Sequence, residues 1–215
     1  MLGDINFPEG ITWDIKYLNG WDMCGEKFSP LSMYYAYKGG RMKVVDIKYD
    51  TSKVTNFSGA FYECAALLKC PDIDTTSAIY MEEMFYYCPS LKYAPSLNTS
   101  NVTTISGMFT SCSSLMSVPL LDCSNVTSIY NVFGYSDIKT LTDLGGFKNI
   151  KVNFNIQKAP NLTVQSLMNV INNLYDFRAN GDSTTTRTLT LGTTNLNKLT
   201  DEQKAVATNK GWSLN

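Results

Sequence analysis

The feature that most constrains this chain is an internal repeat of 24 residues. Four segments align without gaps, and they begin at Asp50, Asp74, Asn98 and Asp122. The same step carries aromatic, thiol, aliphatic and proline columns: Phe61, Phe85, Phe109 and Phe133; Cys64, Cys88 and Cys112; Leu67, Leu91 and Leu115; Pro71, Pro95 and Pro119. Because a unit this short cannot bury a core alone, the units are expected to stack on one another.

The third unit indicates which columns face the core. The apolar residues from Val102 to Cys112 are spaced by three, three, one and three positions, which predicts a short helical segment. Leu115 to Val118 predicts a parallel strand that ends before Pro119, because proline cannot donate to a sheet ladder. Stacked at the strand spacing of roughly 4.8 Å, like residues of successive units should touch. The side chains expected to point inward are Val102, Ile105, Met108, Phe109, Cys112, Leu115, Val118 and Leu121.

The repeat also predicts the domain organisation. The units are clearest at 50–135, and weaker apolar spacing extends the repeat region to 33–156. We expect residues 1–32 to form an N-terminal cap and residues 157–215 to form a C-terminal cap with larger helix–strand units. In that cap we expect an amphipathic helix within 163–176, a strand at 188–191, a second helix with a capping box at 200–203, and a last strand at 212–214. The predicted fold class is an α/β repeat solenoid with parallel strands and short helical segments, capped at both ends.

The motif from Asn101 to Leu115 resembles the BspA-type leucine-rich repeats of bacterial surface proteins. It reads Asn-Val-Thr-Thr-Ile-Ser-Gly-Met-Phe-Thr-Ser-Cys-Ser-Ser-Leu, and the likeness covers 50–135 most specifically. The C-terminal part, from Ser166 to Trp212, is similar to the terminal segment of repeat proteins of gut bacteria and their phages. The resemblance implies a right-handed leucine-rich-repeat coil and a role in adhesion or interaction, and it leaves open a phage virion component.

The charge of the chain is sparse and balanced. Lys plus Arg number 18 and Asp plus Glu number 19, and together they are 17% of the residues. We therefore expect no nucleic-acid partner. No apolar run is long enough for membrane insertion, and no signal peptide is visible at the start, so the chain is made without that export route or its leader has been removed. The expected location is extracellular, at a cell surface or on a virion.

The sequence offers little for catalysis. It contains no histidine, which removes the commonest general base and metal ligand. The nearest carboxylate pairs are Glu82 with Glu83 and Asp72 with Asp74, and we expect each pair to diverge or to flank an exposed turn. The sequence therefore predicts no enzyme. A polysaccharide-cleaving solenoid enzyme is the weakest alternative, because it needs two convergent carboxylates.

The cysteine columns and the Asp/Asn column could each bind a metal, but both fit structural roles better. The cysteines occupy apolar columns and lack a Cys-x-x-Cys pair, so free buried thiols are expected rather than disulfides or a zinc site. The column of Asp50, Asp74, Asn98 and Asp122 predicts a cap for each turn. Calcium binding is the competing interpretation of this column, but no further carboxylates join it to complete a coordination shell. We predict no cofactor and no metal.

Tyrosine is the candidate for ligand binding, because an exposed phenol combines large contact area with a hydroxyl. Stacked aromatics that merely shield the edges of the units are an equally good explanation. The first hypothesis is a protein- or glycan-binding face that uses Tyr62, Tyr86 and Tyr93. The second is a virion component attached through either cap. The sequence does not predict the oligomeric state. The tyrosines predicted to face outward are Tyr62, Tyr86, Tyr87, Tyr93, Tyr130 and Tyr135.

Overall fold

A computed structural model describes residues 38–40, 50–70, 72–135 and 137–215. The predicted N-terminal cap and most of the weaker unit at 33–49 lie outside the described residues. The four clear units are 50–73, 74–97, 98–121 and 122–145, called here the first to fourth units. The helices and strands are β1 Ser117–Val118, β2 Leu121–Asp122, β3 Asp143–Leu144, β4 Phe147–Lys148, β5 Phe154–Asn155, α1 Val164–Asn173, β6 Arg187–Thr190, α2 Thr193–Leu196, α3 Asp201–Asn209 and β7 Trp212–Leu214.

Successive units pair in parallel at the step of the repeat. Single-residue bridges join Asn56 to Tyr80, Tyr80 to Thr104 and Thr104 to Ser128, each 24 positions apart. A further bridge, in a second column, joins Tyr93 to Ser117 just upstream of the proline column, where the strands were predicted. The pairing therefore holds equivalent positions of neighbouring units side by side.

The short helix predicted between Val102 and Cys112 is wrong. This segment forms hydrogen-bonded turns instead. Alternate backbone N–H groups donate to carbonyls of the fourth unit, as from Gly107 to Tyr130 at 2.9 Å, so they cannot donate within a helix. Backbone φ is also positive at Gly107 and Ser111, which interrupts any right-handed helical run. The apolar spacing correctly predicted that these side chains share one buried face. Turns that are hydrogen-bonded to the next unit, rather than a helix, place them there.

The phenylalanine column forms the centre of the core. The rings of Phe61 and Phe85 stack with centroids 5.4 Å apart, and those of Phe85 and Phe109 with centroids 5.7 Å apart. The column continues to Phe133 at 6.2 Å. All eight side chains predicted to point inward in the third unit are buried. The prediction that like residues of neighbouring units touch is confirmed for this column.

The thiols are packed as predicted for the described cysteines. Cys70, Cys88, Cys112 and Cys123 are free and buried, and Cys64 is buried as well. The Sγ of Cys88 donates to the carbonyl of Phe61 at 3.0 Å, and the Sγ of Cys112 donates to the carbonyl of Phe85 at the same distance. These weak bonds add a further link between neighbouring units.

The C-terminal part contains the predicted helices and strands with two differences. Strands β5, β6 and β7 form a parallel three-stranded sheet in that order. Thr163 caps α1, and Thr200 with Gln203 forms the predicted capping box of α3. Val164 belongs to the apolar pattern of the predicted amphipathic helix, but it is 40% exposed because it occupies the first helical position of α1. The short helix α2 was not predicted.

The parallel pairing and the stacked columns carry a proposal about the architecture. We propose that the units wind as the right-handed leucine-rich-repeat solenoid predicted from the sequence. The outward columns of neighbouring units then form continuous surfaces, and one of these surfaces contains the candidate site.

Candidate functional site

A hollow of about 340 Å³ opens on the surface where the second, third and fourth units meet. On one side the second unit contributes Glu82, Glu83 and Tyr86. Between the two sides lie small residues of the third unit, and Ser58 of the first unit completes the lining. The remaining lining residues are Ser106, Gly107 and Thr110 of the third unit and Tyr130, Asn131 and Tyr135 of the fourth. Residues of all four clear units therefore line one concave site.

The hollow exists because one outward column loses bulk along the repeat. Its members are Tyr62, Tyr86, Thr110 and Gly134, so two large rings are followed by a small side chain and then by none. A Cβ on Gly134 would lie 2.6 Å from the Cγ2 of Thr110, so the third and fourth units approach closely only because this position is glycine. The decrease in side-chain size leaves open space beside Tyr86.

Both carboxylates of the second unit line the hollow. The Oε1 atom of Glu82 accepts a hydrogen bond from the hydroxyl of Thr104 at 2.9 Å. Glu83 has a positive φ of 53° and lies beside Gly107, where a Cβ would meet its Cγ at 3.1 Å. The expectation that these two glutamates diverge is therefore wrong, because the backbone at this turn directs both side chains to the hollow.

The hydroxyls of Ser106 and Thr110, in the third unit, form hydrogen bonds to the fourth unit. Thr110 donates through Oγ1 to the carbonyl of Asn131 at 3.0 Å. The Oγ of Ser106 accepts from the backbone N–H of Tyr130 at 3.0 Å and shares a 2.7 Å bond with the hydroxyl of Ser128. The geometry of this part of the hollow is therefore fixed by links between units.

Two tyrosine pairs flank the hollow. Tyr62 and Tyr86 stack with centroids 4.6 Å apart, and the ammonium of Lys38 lies 5.0 Å from the centroid of the Tyr62 ring. Burial raises the pKa of the Tyr62 phenol, and the neighbouring Tyr86 adds to the rise. On the other side Tyr130 and Tyr135 are 69% and 71% exposed, with their hydroxyls 3.5 Å apart. These rings present aromatic surface to solvent at the mouth of the site.

Of the six tyrosines predicted to bind a ligand, the structure brings only some together. Tyr86, Tyr130 and Tyr135 line the hollow, and Tyr62 supports Tyr86 by stacking. Tyr87 is exposed but does not line the hollow. Tyr93 lines a different depression of about 440 Å³, together with Lys69, Asp72 and Pro95 among others. Tyr93 therefore does not share a depression with Tyr86, because Tyr93 lies in the strand column rather than in the turn columns. The face that joins Tyr62, Tyr86 and Tyr93 stays a prediction.

The Asp/Asn column caps its turns as predicted. Asp50, Asp74, Asn98 and Asp122 each accept through Oδ1 from the backbone N–H two residues further on, at 2.9 to 3.1 Å. In the part of the chain that the structure describes, no group of three or more metal-ligating side chains could hold an ion. The same described ranges contain no helix that is long and apolar enough to cross a membrane.

Comparison with known proteins gives one family. The family model described as "Mycoplasma protein of unknown function, DUF285" matches residues 31–147 and 81–206. The two matches together span most of the chain, including all four clear units and the hollow. No curated protein matches, and no solved structure matches.

Proposed function

The chain belongs to the DUF285 family, and we propose that it is a non-enzymatic binding module that recognises a protein or glycan ligand. The observation that carries this proposal is the convergence of Tyr86, Tyr130 and Tyr135 around one hollow. Concave sites with aromatic side chains and a few placed polar groups are the usual form of ligand sites. The ligand would meet a surface of Tyr, Ser, Thr and Asn at the cell surface, outside the cell or on a virion.

The rigidity of the site supports recognition. Each side of the hollow belongs to a unit that is hydrogen-bonded to the next, as between Glu83 and Ser106 at 2.9 Å and between Gly107 and Tyr130 at 2.9 Å. A preformed site loses little conformational entropy on binding, and tyrosine has only two side-chain torsions to order. Both properties favour a binding role for these rings over a purely structural one.

The two glutamates give no comparable support to the enzyme alternative. Glu82 and Glu83 are neighbours in sequence on the same side of the hollow, whereas glycoside cleavage needs two carboxylates that flank the scissile bond. The virion role rests on the sequence resemblance alone, and it stays a prediction.

The test is a binding screen with matched variants of the full chain. Arrays of glycans and purified surface proteins are screened with the native chain, with the double variant Tyr86→Ala, Tyr130→Ala, and with Tyr93→Ala as the control. We expect at least one ligand whose affinity falls tenfold or more in the double variant, since buried tyrosine contacts commonly contribute above about 1 kcal/mol. Tyr93→Ala should keep that affinity. No ligand in the screen, or an equal loss in Tyr93→Ala, would contradict the proposal.

A further inference from the structure

The tyrosine stack beside the hollow ends at the second unit. Tyr62 and Tyr86 lie parallel, with 4° between their ring planes and 4.6 Å between their centroids. The equivalent positions of the third and fourth units are Thr110 and Gly134, which have no ring to continue the stack. Tyr86 is half-buried and lines the hollow. The hollow therefore begins where a third stacked ring would lie.

The spacing of the units fits one further ring. Equivalent positions of the second and fourth units are two steps apart, which is roughly 10 Å at the strand spacing of about 4.8 Å per unit. Tyr130 and Tyr135 of the fourth unit line the hollow on the side opposite Tyr86. The hydrogen bond with Tyr130 is the largest cause that raises the pKa of the Tyr135 phenol, and the proximity of Tyr86 adds to the rise. The two sides of the hollow are therefore close enough to contact one planar ring at the same time.

The side chain of Thr110 is held away from the face of Tyr86. Its Oγ1 donates to the carbonyl of Asn131 in the fourth unit at 3.0 Å. Its methyl group lies so near Gly134 that a Cβ there would come within 2.6 Å of it. Both branches of Thr110 are thus directed to the fourth unit, and the residue is buried. Thr110 therefore closes the bottom of the hollow and does not fill the space beside Tyr86.

The polar groups of the hollow favour a ring that carries several hydroxyls. The hydroxyl proton of Thr110 is donated to Asn131, so its oxygen can accept a hydrogen bond from a ligand. The side-chain amide of Asn131 and the hydroxyls of Tyr130 and Tyr135 line the same hollow, and they can donate as well as accept. An aromatic side chain of a partner protein has at most one polar group on its ring. It would cover most of these groups without replacing their bonds to water, which opposes binding.

A pyranose ring meets both requirements. The C–H bonds on one side of the ring form an apolar face, which suits the electron-rich face of a phenol. The hydroxyls at the edge of the ring both donate and accept hydrogen bonds. A site with hydrogen-bonding groups placed around such a ring also discriminates strongly against a ring that lacks hydroxyls, because the groups of the site are then left unpaired.

We propose that the hollow is a subsite for one pyranose ring of a glycan, stacked on the face of Tyr86 in the place that a ring of the third unit would take. This inference rests on the proposed binding function and specifies its ligand. Tyr130 and Tyr135 would cover the opposite side of the sugar, and Thr110 and Asn131 would form hydrogen bonds with hydroxyls at its edge.

The test titrates the full chain with the methyl β-glycosides of glucose, N-acetylglucosamine, galactose and mannose. Binding is followed by the backbone amide resonances of Gly107 and Tyr130. Ac-Gly-Phe-Gly-amide and Ac-Gly-Tyr-Gly-amide represent an aromatic side chain of a partner protein, and cyclohexylmethanol represents a ring without ring hydroxyls. We expect at least one glycoside to shift both resonances and to bind at least tenfold more tightly than either peptide or cyclohexylmethanol. No shift with any glycoside, or binding of a peptide or of cyclohexylmethanol that is equal to or tighter than that of the glycosides, would overturn the inference.

The matched variants change the ring of Tyr86 and the space beside it. Tyr86→Phe keeps the stacking face and should retain the affinity for the glycoside within about threefold, whereas Tyr86→Ala should lower it at least fivefold. Thr110→Tyr places a third tyrosine in the column and should abolish binding, because its ring takes the place of the sugar. Thermal unfolding shows whether each variant keeps the fold. Equal affinities of Tyr86→Phe and Tyr86→Ala, or unchanged affinity in a folded Thr110→Tyr variant, would overturn the inference.

The two proposals fail in different ways. If the surface screen finds a protein ligand that needs Tyr86 and Tyr130 while no glycoside shifts the resonance of Gly107, the binding function stands and the sugar inference falls. If the screen finds no ligand that depends on these tyrosines, the binding function itself falls.

Discussion

The rings of Phe85 and Phe109 lie parallel, with 1° between their planes and 5.7 Å between their centroids. Both side chains are buried, and they occupy equivalent positions of the second and third units. Each ring therefore packs against its own counterpart rather than against an unrelated side chain. Stability in such an array depends on contacts between neighbouring units, so damage to one unit should extend to those beside it.

Removal of the Phe109 ring should cost much of this packing. We expect Phe109→Ala to lower the free energy of unfolding by about 3–5 kcal/mol, as for a buried aromatic replaced by alanine. The measurement is a denaturant titration. The control is Leu68→Ala, because Leu68 is 45% exposed and its loss should change the free energy of unfolding by less than about 0.5 kcal/mol. Equal midpoints for Phe109→Ala and the native chain would show that Phe109 does not support the core.

The stacking of like residues was predictable from the sequence because the repeat places them in register. The 24-residue step predicted the contact of Phe61 with Phe85 and the burial of Cys88 and Cys112, since a column that repeats must occupy one environment. The backbone between these positions was not predictable from apolar spacing. A short helix and a turn bonded to the next unit bury the same side chains, and only the hydrogen-bond partners distinguish them.

The buried threonine column provides a pair of isosteric changes with different outcomes. The hydroxyl of Thr75 accepts from the N–H of Asn98 at 2.8 Å and donates to the carbonyl of the same residue at 3.1 Å. The buried hydroxyl oxygen of Thr99 has no hydrogen-bond partner among the described residues. Thr75→Val should destabilise by roughly 1 kcal/mol, because it removes both bonds. Thr99→Val should be neutral or stabilising, because it removes an unpaired buried polar group.

Chemical denaturation of both variants measures this difference directly. Each serves as the control of the other, since the substitution, the column and the burial are the same. A loss of stability in Thr99→Val as large as in Thr75→Val would show that the hydroxyl of Thr99 is paired after all.

The buried thiols should resist alkylation. Burial raises the pKa of Cys112 to about 12, and it raises the pKa of Cys88 as well. The thiolate is the reactive form, so both residues should stay unmodified by iodoacetamide at mildly alkaline pH and react fully in denaturant. Peptide mapping by mass spectrometry distinguishes them from the other cysteines. Rapid modification of Cys112 in the folded chain would contradict its position in the core.

Asp182 should contribute to acid sensitivity. Its Oδ1 accepts from the backbone N–H groups of Thr184 and Thr185 at 3.0 and 2.8 Å, and hydrogen bonding by Thr185 is the largest cause that lowers its pKa below 3.8. A carboxyl whose pKa is lower in the folded chain stabilises above the unfolded pKa and loses that effect as pH falls through the folded pKa. The native chain should therefore lose stability below roughly pH 5.

The matching variant is Asp182→Asn, which keeps an acceptor oxygen but does not titrate. Its unfolding midpoint should fall less than that of the native chain over the same acidic interval, when both are followed by circular dichroism. Parallel pH profiles of the two proteins would exclude a contribution from the carboxyl of Asp182.

The candidate site was only partly predictable. Tyr86, Tyr130 and Tyr135 line the hollow and were predicted to face outward. The hollow itself depends on the small side chains that the third and fourth units have at the position of Tyr86. The decrease from Tyr86 to Thr110 to Gly134 is visible in the aligned columns, and comparing side-chain sizes down that column would have located the site. The approach of Glu83 could not be inferred in the same way, because its positive φ sets its direction.

The stacking of equivalent residues is tested most directly by nuclear Overhauser effects between phenylalanine rings in a selectively labelled sample. Resonances are assigned with single Phe→Leu variants. The account predicts contacts from Phe85 to both Phe61 and Phe109, and no direct contact between Phe61 and Phe109. A spectrum in which Phe85 contacts neither ring would contradict the stacked arrangement and remove the basis for a hollow lined by neighbouring units.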